Sequence, residues 1–221
     1  MQHTIKHGPS YALLHVELSP GESMLSEAGS MVYMSKHMDV ETRAGGNILA
    51  AFARKILGGE SFFLNTYSVK GESASLGLAG SMPGDIHHLT LNGNSVYIQG
   101  SSFLCSGPGI NTRTKFGGIR SLLGGEGLFL LKAEGNGDLF LSAYGAILPI
   151  QVDSSYMVDT GHIVAFEDTL DYSIRRVGNW KSTFLSGEGL VTEFRGRGTV
   201  WIQTRVPSGF IRWLIRLLPG E

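Results

Sequence analysis

The chain has 221 residues, of which 42% are hydrophobic and 17% are charged, and its formal net charge is −1. The hydrophobic fraction and low charge exclude a disordered chain, and 31 glycines without a three-residue period exclude collagen. The near-zero net charge removes the electrostatic attraction that dominates binding to nucleic acid, so we expect no nucleic-acid partner.

The amino-terminal segment carries histidines but no apolar run. Residues 1–9 lack both the hydrophobic core of a secretory signal and the arginine- and serine-rich composition of a transit peptide. No segment approaches the roughly 18 to 20 apolar residues that span a bilayer, so we expect a soluble, cytoplasmic protein. His3, His7 and His15 have same-face spacing, but they lie in a terminus expected to be mobile and predict no ligand site.

A unit of sixty-odd residues occurs three times along the chain. Three similar Gly-Glu segments contain Gly59, Gly125 and Gly187 at equivalent positions, 66 and 62 residues apart. The units cover approximately residues 20–85, 86–150 and 151–207. Because a lone unit of this size leaves its sheet faces uncovered, we expect the three to share one core within a single domain of residues 1–221.

Each unit consists of short runs rich in valine, isoleucine, phenylalanine, tyrosine and threonine. Glycine turns are predicted between these runs at residues 70–72, 135–138 and 196–198, because glycine adopts the positive φ that hairpin turns need. Many short strands at regular spacing predict an all-β fold. We expect a β-sandwich or double-stranded β-helix of three tandem pseudo-repeats, with short helices near residues 47–57 and 210–218.

The first of these helices lies in the first unit. Asn47 is a suitable N-cap, Phe52 and Ile56 share one apolar face, and Gly58 suits the left-handed residue that follows a helix. The other two units have room for only one or two helical turns at this place.

The carboxyl-terminal helix, residues 209–218, is amphipathic. Its apolar arc is too wide for a helix lying on one flat surface, because only Arg212 and Arg216 interrupt it. Three interpretations stay open: docking into a groove of its own domain, a subunit interface, and contact with a membrane surface. The predicted interface residues are Phe210, Trp213, Leu214 and Leu217.

The repeated glutamates are the candidate ligand residues. Threefold order would bring Glu60, Glu126 and Glu188 together, and converging carboxylates could hold a cation. The interpretation that we favour is that each glutamate accepts hydrogen bonds from the backbone amides of its own glycine turn.

Other reactive side chains predict no site. His87 and His88 are adjacent on a predicted strand and therefore point to opposite faces, and so do His162 and Glu167. Cys105, the single cysteine, is expected to be a small buried hydrophobic residue. We therefore predict no catalytic residue, no metal ligand set and no cofactor.

Six motifs occur along the chain in a characteristic order, at residues 20–22, 27–34, 83–86, 140–145, 158–166 and 200–205. Together they resemble the altered-inheritance-of-mitochondria (mitochondrial biogenesis) family, formerly a domain of unknown function. The resemblance covers essentially the whole chain and implies a fold similar to that of the tryptophan RNA-binding attenuator protein. It implies a role in mitochondrial inner-membrane organisation for eukaryotic relatives, whereas this chain is similar to the prokaryotic members. The family supplies no agreed catalytic residues, so none is transferred.

The predicted function is that of a non-enzymatic scaffold or binding module for a protein partner. We expect a symmetric homo-oligomer, with a trimer as one candidate stoichiometry, because the repeats bring no catalytic set and the apolar terminal helix needs a partner. One alternative is a small-molecule- or metal-binding β-barrel enzyme that uses His87, His162 or the three repeated glutamates. A second alternative is an organising protein in peripheral contact with a membrane through residues 210–218.

Overall fold

The computed structural model describes residues 1–44, 63–116, 129–176 and 190–218. The described residues are mostly in β-strands, joined by tight turns and two single-turn 3-10 helices, Gly100–Ser102 and Thr160–His162. The strands are β1 Gln2–Lys6, β2 Leu13–Leu18, β3 Ser23–Glu27, β4 Met31–Met34, β5 Met38–Ala44, β6 Phe63–Val69, β7 Ala74–Leu78, β8 Ile86–Gln99, β9 Phe103–Ser106, β10 Ile110–Phe116, β11 Phe129–Ser142, β12 Ile147–Val152, β13 Ser155–Asp159, β14 Ile163–Glu167, β15 Asp171–Arg176, β16 Leu190–Arg195 and β17 Gly198–Gln203.

The strands form three antiparallel sheets. A four-stranded sheet has the order β1-β2-β7-β4, and a three-stranded sheet has the order β13-β16-β15. The largest sheet has ten strands in the order β12-β17-β14-β8-β11-β9-β3-β6-β5, with β10 also paired to β11. The predicted all-β fold is confirmed.

Two long strands, β8 and β11, connect different parts of the largest sheet. Each has 14 residues, and β11 is irregular between Glu134 and Asn136. Gly135 and Gly137 have φ values of 132° and 139° there, so the backbone bends without ending the strand. The prediction of a turn at residues 135–138 was therefore wrong. Glycines at positive φ allow a bend within a strand as well as a turn between two strands.

The buried side chains form three apolar clusters, and β11 contributes to all of them. Phe140 belongs to the first cluster, Leu131 to the second and Leu130 to the third. Phe140 and Leu130 are fully buried. The clusters are thus joined through a shared strand rather than through a linker.

At each of the three gaps in the described residues, the strand before the gap pairs with the strand after it. These pairs are β5 with β6, β10 with β11 and β15 with β16. The gaps contain the predicted helix at residues 47–57 and the three repeated Gly-Glu segments. Glu60, Glu126 and Glu188 therefore lie outside the described residues. The threefold repeat and the single-domain organisation stay predictions.

The carboxyl-terminal helix, α1, spans Pro207–Ile215. It begins earlier than the predicted residues 209–218, because Pro207 occupies the first turn, where a missing N–H costs no hydrogen bond. It also ends earlier, at Ile215, so the predicted residues 216–218 follow the helix as a turn. Among the described residues, no helix has the length and apolar character that crossing a membrane requires.

The amino terminus is a strand and not the mobile segment that we expected. β1 pairs antiparallel with β2, from Gln2 opposite Glu17 to Lys6 opposite Leu13. The terminal ammonium group also forms an ion pair with Glu22, and this hydrogen bond lowers the pKa of the Glu22 carboxyl. β1 thereby carries His3 onto the body of the protein.

Candidate functional site

Three polar side chains from three strands meet in one place, which we call the histidine cluster. It consists of His3 from β1, His88 from β8 and Asp138 from β11. His88 Nε2 lies 2.7 Å from Asp138 Oδ1, and one nitrogen or oxygen atom from each of the three residues lies within 4.8 Å of the others. Within the described ranges, this is the one group of three histidine, cysteine or carboxylate side chains close enough to share a metal ion.

Phe140 forms an apolar floor beneath the histidine cluster. The His88 ring stacks on the Phe140 ring with centroids 4.8 Å apart and an interplanar angle of 22°. The His3 ring meets Phe140 edge-on at 5.0 Å and lies 4.4 Å from the His88 ring. Because Phe140 is fully buried, its packing holds both imidazoles in place.

The electrostatics of the cluster favour a neutral His3. Burial lowers the pKa of His3, and the neighbouring His88 lowers it further, whereas Asp138 acts in the opposite direction. A neutral imidazole keeps the lone pair that a metal ion requires. Two imidazoles and one carboxylate form a donor set suited to zinc and other first-row divalent ions.

His87 points away from this cluster, as expected for residues adjacent on a strand. Its ring lies 6.2 Å from the ring of Trp201, and burial lowers its pKa. Sequence reasoning considered the pair His87 and His88 but missed the partners of His88. Asp138 lies 50 residues away in sequence, and only the register between β8 and β11 brings it close.

A shallow groove of about 250 Å³ lies beside α1. His162 Nδ1 donates a hydrogen bond of 2.6 Å to the carbonyl oxygen of Gln203 at this place. The ring of Phe210 meets Tyr144 edge-on at 6.3 Å and lies 5.8 Å from Trp213. The lining residues are Tyr144, His162, Thr204, Arg205, Val206, Gly209, Phe210 and Trp213.

The predicted interface residues of α1 differ in what they touch. Phe210 and Trp213 line the groove, whereas Leu214 and Leu217 do not. All four are nevertheless exposed, with Leu217 at 62%. The contact between α1 and its own domain therefore covers only one edge of the helix.

The remaining candidate side chains do not form an acid–base pair. The Glu167 carboxylate accepts a hydrogen bond of 3.1 Å from the backbone of Thr199, and Asp168 accepts one from the Ser95 hydroxyl. Cys105 is fully buried, and burial raises the pKa of its thiol well above the usual range. It is the small buried residue that the sequence predicted.

Comparison with known protein families then identifies the chain. The family model "Mitochondrial biogenesis AIM24" matches residues 3–205. The chain belongs to the mitochondrial biogenesis AIM24 family. The resemblance predicted from the sequence motifs is confirmed.

This AIM24-family chain is similar to proteins of Streptococcus pyogenes. It is 30% identical, over 228 residues, to an uncharacterised protein of serotype M6, a match covering 99% of this chain and 92% of that protein. The crystal structure of an S. pyogenes protein matches with a TM-score of 0.83 and 29% identity. That match covers 98% of this chain and 99% of the other, so the fold is shared over the whole length.

Proposed function

We propose that this AIM24-family chain is a non-enzymatic scaffold or binding protein that acts as a homo-oligomer. The observation that supports the proposal is the distribution of exposed apolar side chains, most of which fall on β4, on β13, on α1 or in the turn that follows α1. These side chains are Met31, Val32, Tyr33, Met34, Tyr156, Met157, Phe210, Ile211, Trp213, Leu214, Ile215, Leu217 and Leu218. Apolar patches of this kind on a folded protein mark interaction surfaces.

The helix α1 illustrates why a partner is needed. A helix of nine residues is marginal by itself and gains its stability from burying an apolar face. The groove covers only the side that bears Phe210 and Trp213, and Ile215 and Leu217 stay more than half exposed. A protein partner or another subunit would bury the uncovered side.

Light scattering of the purified chain tests the proposal. We expect the mass to be two or more times that of the 23.8 kDa chain, as a whole-number multiple, over a wide concentration range. A chain lacking residues 208–221 serves as the comparison. The number of subunits in the assembly falls if α1 carries the subunit contact and is unchanged if the strands carry it. A strict monomer at every concentration, for both chains, would contradict the proposal.

The histidine cluster favours metal binding as a second candidate function. Its three donor atoms come from three separate strands, and the lowered pKa of His3 favours the neutral imidazole that a divalent ion requires. Metal binding of this kind could serve a structural role within a scaffold, since it would tie β1 to β8 and β11.

His88→Ala tests the second candidate by removing one of the three donors. We expect Zn²⁺ to bind at least about tenfold more weakly to this variant in titration calorimetry, a loss of about 1.4 kcal/mol. His87→Ala is the matched control, because His87 is the next residue on β8 and faces Trp201 instead. Equal zinc affinity for His88→Ala and the unmodified chain would eliminate the histidine cluster as a metal site.

A further inference from the structure

Two strands leave an open sheet edge that is rich in apolar residues. β4 ends the four-stranded sheet and β13 ends the three-stranded sheet, so each is paired on only one side within the part of the chain that the structure describes. All four residues of β4 are exposed, as are Tyr156 and Met157 of β13. An open apolar edge is a template for pairing with another strand.

One kind of strand junction occurs twice inside the chain. In the first junction β9 pairs with β3, with Ser106 next to Leu25. In the second β14 pairs with β8, with Phe166 next to Tyr97. Both junctions are antiparallel and join strands that are far apart in sequence.

β4 has the same local structure as β9 and β14, the strands that contribute one side of each junction. On the side away from the junction, β4 pairs with β7, β9 pairs with β11 and β14 pairs with β17. β7, β11 and β17 each lie after one of the three gaps in the described residues. Each of these three pairings has a register shift after its first residue pair. The residue pairs that end them are Met34 with Leu76, Ser106 with Leu139 and Phe166 with Val200. Met34 therefore occupies on β4 the position that Ser106 and Phe166 occupy inside the junctions.

β13 likewise has the local structure of β3 and of the second half of β8, the strands on the other side of each junction. Their pairings place Leu25 opposite Thr66, Tyr97 opposite Lys132 and Met157 opposite Glu193. Met157 therefore occupies on β13 the position that Leu25 and Tyr97 occupy inside the junctions.

Burial distinguishes the occupied junctions from the open edges. Phe166 is 0% exposed and Tyr97 is 8% exposed, and their rings pack with centroids 5.2 Å apart across the β14–β8 junction. At the equivalent positions on the open edges, Met34 is 38% exposed and Met157 is 65% exposed.

We infer that the open edge of β4 pairs with β13 of a second copy of this chain, with Met34 opposite Met157. The inference rests on the proposed homo-oligomer and names its interface. The occupant is a second copy because both halves of this junction are present in one chain, and within the described residues β4 and β13 do not pair with each other. The contact joins two different edges of the chain, so it closes either as a two-fold dimer with two reciprocal β4–β13 contacts or as a larger ring in which each copy pairs with two neighbours.

Paired cysteine variants test the register directly. Residues opposite each other on antiparallel strands have Cα atoms about 4.5–5.5 Å apart, a separation that a disulfide spans. We expect Met34→Cys and Met157→Cys chains, co-expressed and mildly oxidised, to form a disulfide-linked dimer on a non-reducing gel. Neither variant alone forms one, and a chain carrying both substitutions forms a covalent dimer or larger covalent multimers.

Two controls accompany this experiment. The native Cys105 is fully buried, so the unmodified chain reports any background cross-linking. Leu148→Cys, at an exposed position on β12, replaces Met157→Cys in a matched mixture and is expected to yield no dimer.

Three results would overturn the inference: no cross-link in the Met34→Cys and Met157→Cys mixture, a disulfide dimer of Met34→Cys alone, or an intramolecular disulfide in the doubly substituted chain. The last result would mean that β4 and β13 close on each other within one molecule. Light scattering separates this failure from that of the proposed function. An oligomer without the cross-link refutes only the β4–β13 interface, whereas a strict monomer refutes both.

Discussion

Replacing Gly84 by alanine is expected to lower the free energy of unfolding by about 3 kcal/mol. Gly84 forms an isolated bridge with Gly145, and a Cβ atom added to it would overlap the carbonyl oxygen of Ala143. The same atom would lie 2.8 Å from both the amide nitrogen and the carbonyl oxygen of Gly145. These neighbours are backbone atoms, so relief of the overlap requires the two chain segments to separate.

The separation would also break hydrogen bonds around this bridge. The Gly84 carbonyl accepts a 2.9 Å bond from the backbone of Ala12, and the backbone of Asp85 donates one of 2.9 Å to Gly145. Urea denaturation followed by circular dichroism measures the loss. Gly71→Ala is the control, because a Cβ atom there meets nothing within 4 Å and its stability should stay within about 1 kcal/mol. Equal stabilities for the two variants would show that the close approach at Gly84 is not as described.

Phe166→Ala is the second substitution with a large expected effect, a loss of about 3–5 kcal/mol in the free energy of unfolding. The Phe166 ring is fully buried and packs against three other aromatic rings, with centroid distances of 5.0–5.2 Å to Tyr97, Tyr172 and Phe194. Alanine would leave a cavity that rigid strands on both sides cannot fill.

Tyr11→Ala provides the comparison for this substitution, because Tyr11 is the most exposed large apolar side chain among the described residues, at 74%. Its removal should change the free energy of unfolding by no more than about 0.5 kcal/mol. Chemical denaturation monitored by tryptophan fluorescence measures both variants. A loss below about 1 kcal/mol for Phe166→Ala would be incompatible with its position in the third apolar cluster.

The fold class could be predicted because its determinants are local. Glycines at positive φ and short runs of β-branched and aromatic residues indicate strands and turns without knowledge of partners. The prediction failed at β1, where mobility was expected because the segment lies at the end of the chain. The burial of His3 and Ile5 against other strands determines that segment, and a single sequence does not reveal which strands those are.

The histidine cluster depends on long-range register in the same way. The sequence analysis rejected His88 as a ligand because His87 and His88 point to opposite faces. The position of His88 against Asp138 follows from the pairing of β8 with β11, and its position against His3 follows from the packing of β1. The predicted glycine turn at residues 135–138 would have ended β11 just where Asp138 extends it. The apolar residues of α1 could be predicted because the helical spacing of apolar residues is a local property, complete within the nine residues of the helix.

The continuity of β8 and β11 has a mechanical consequence. Their pairing is continuous over both 14-residue strands except at the register shift between Glu134 and Asn136. A force that pulls the first apolar cluster away from the third would have to break this pairing. We expect the two strands to part first at the register shift, where the hydrogen-bond ladder is already interrupted.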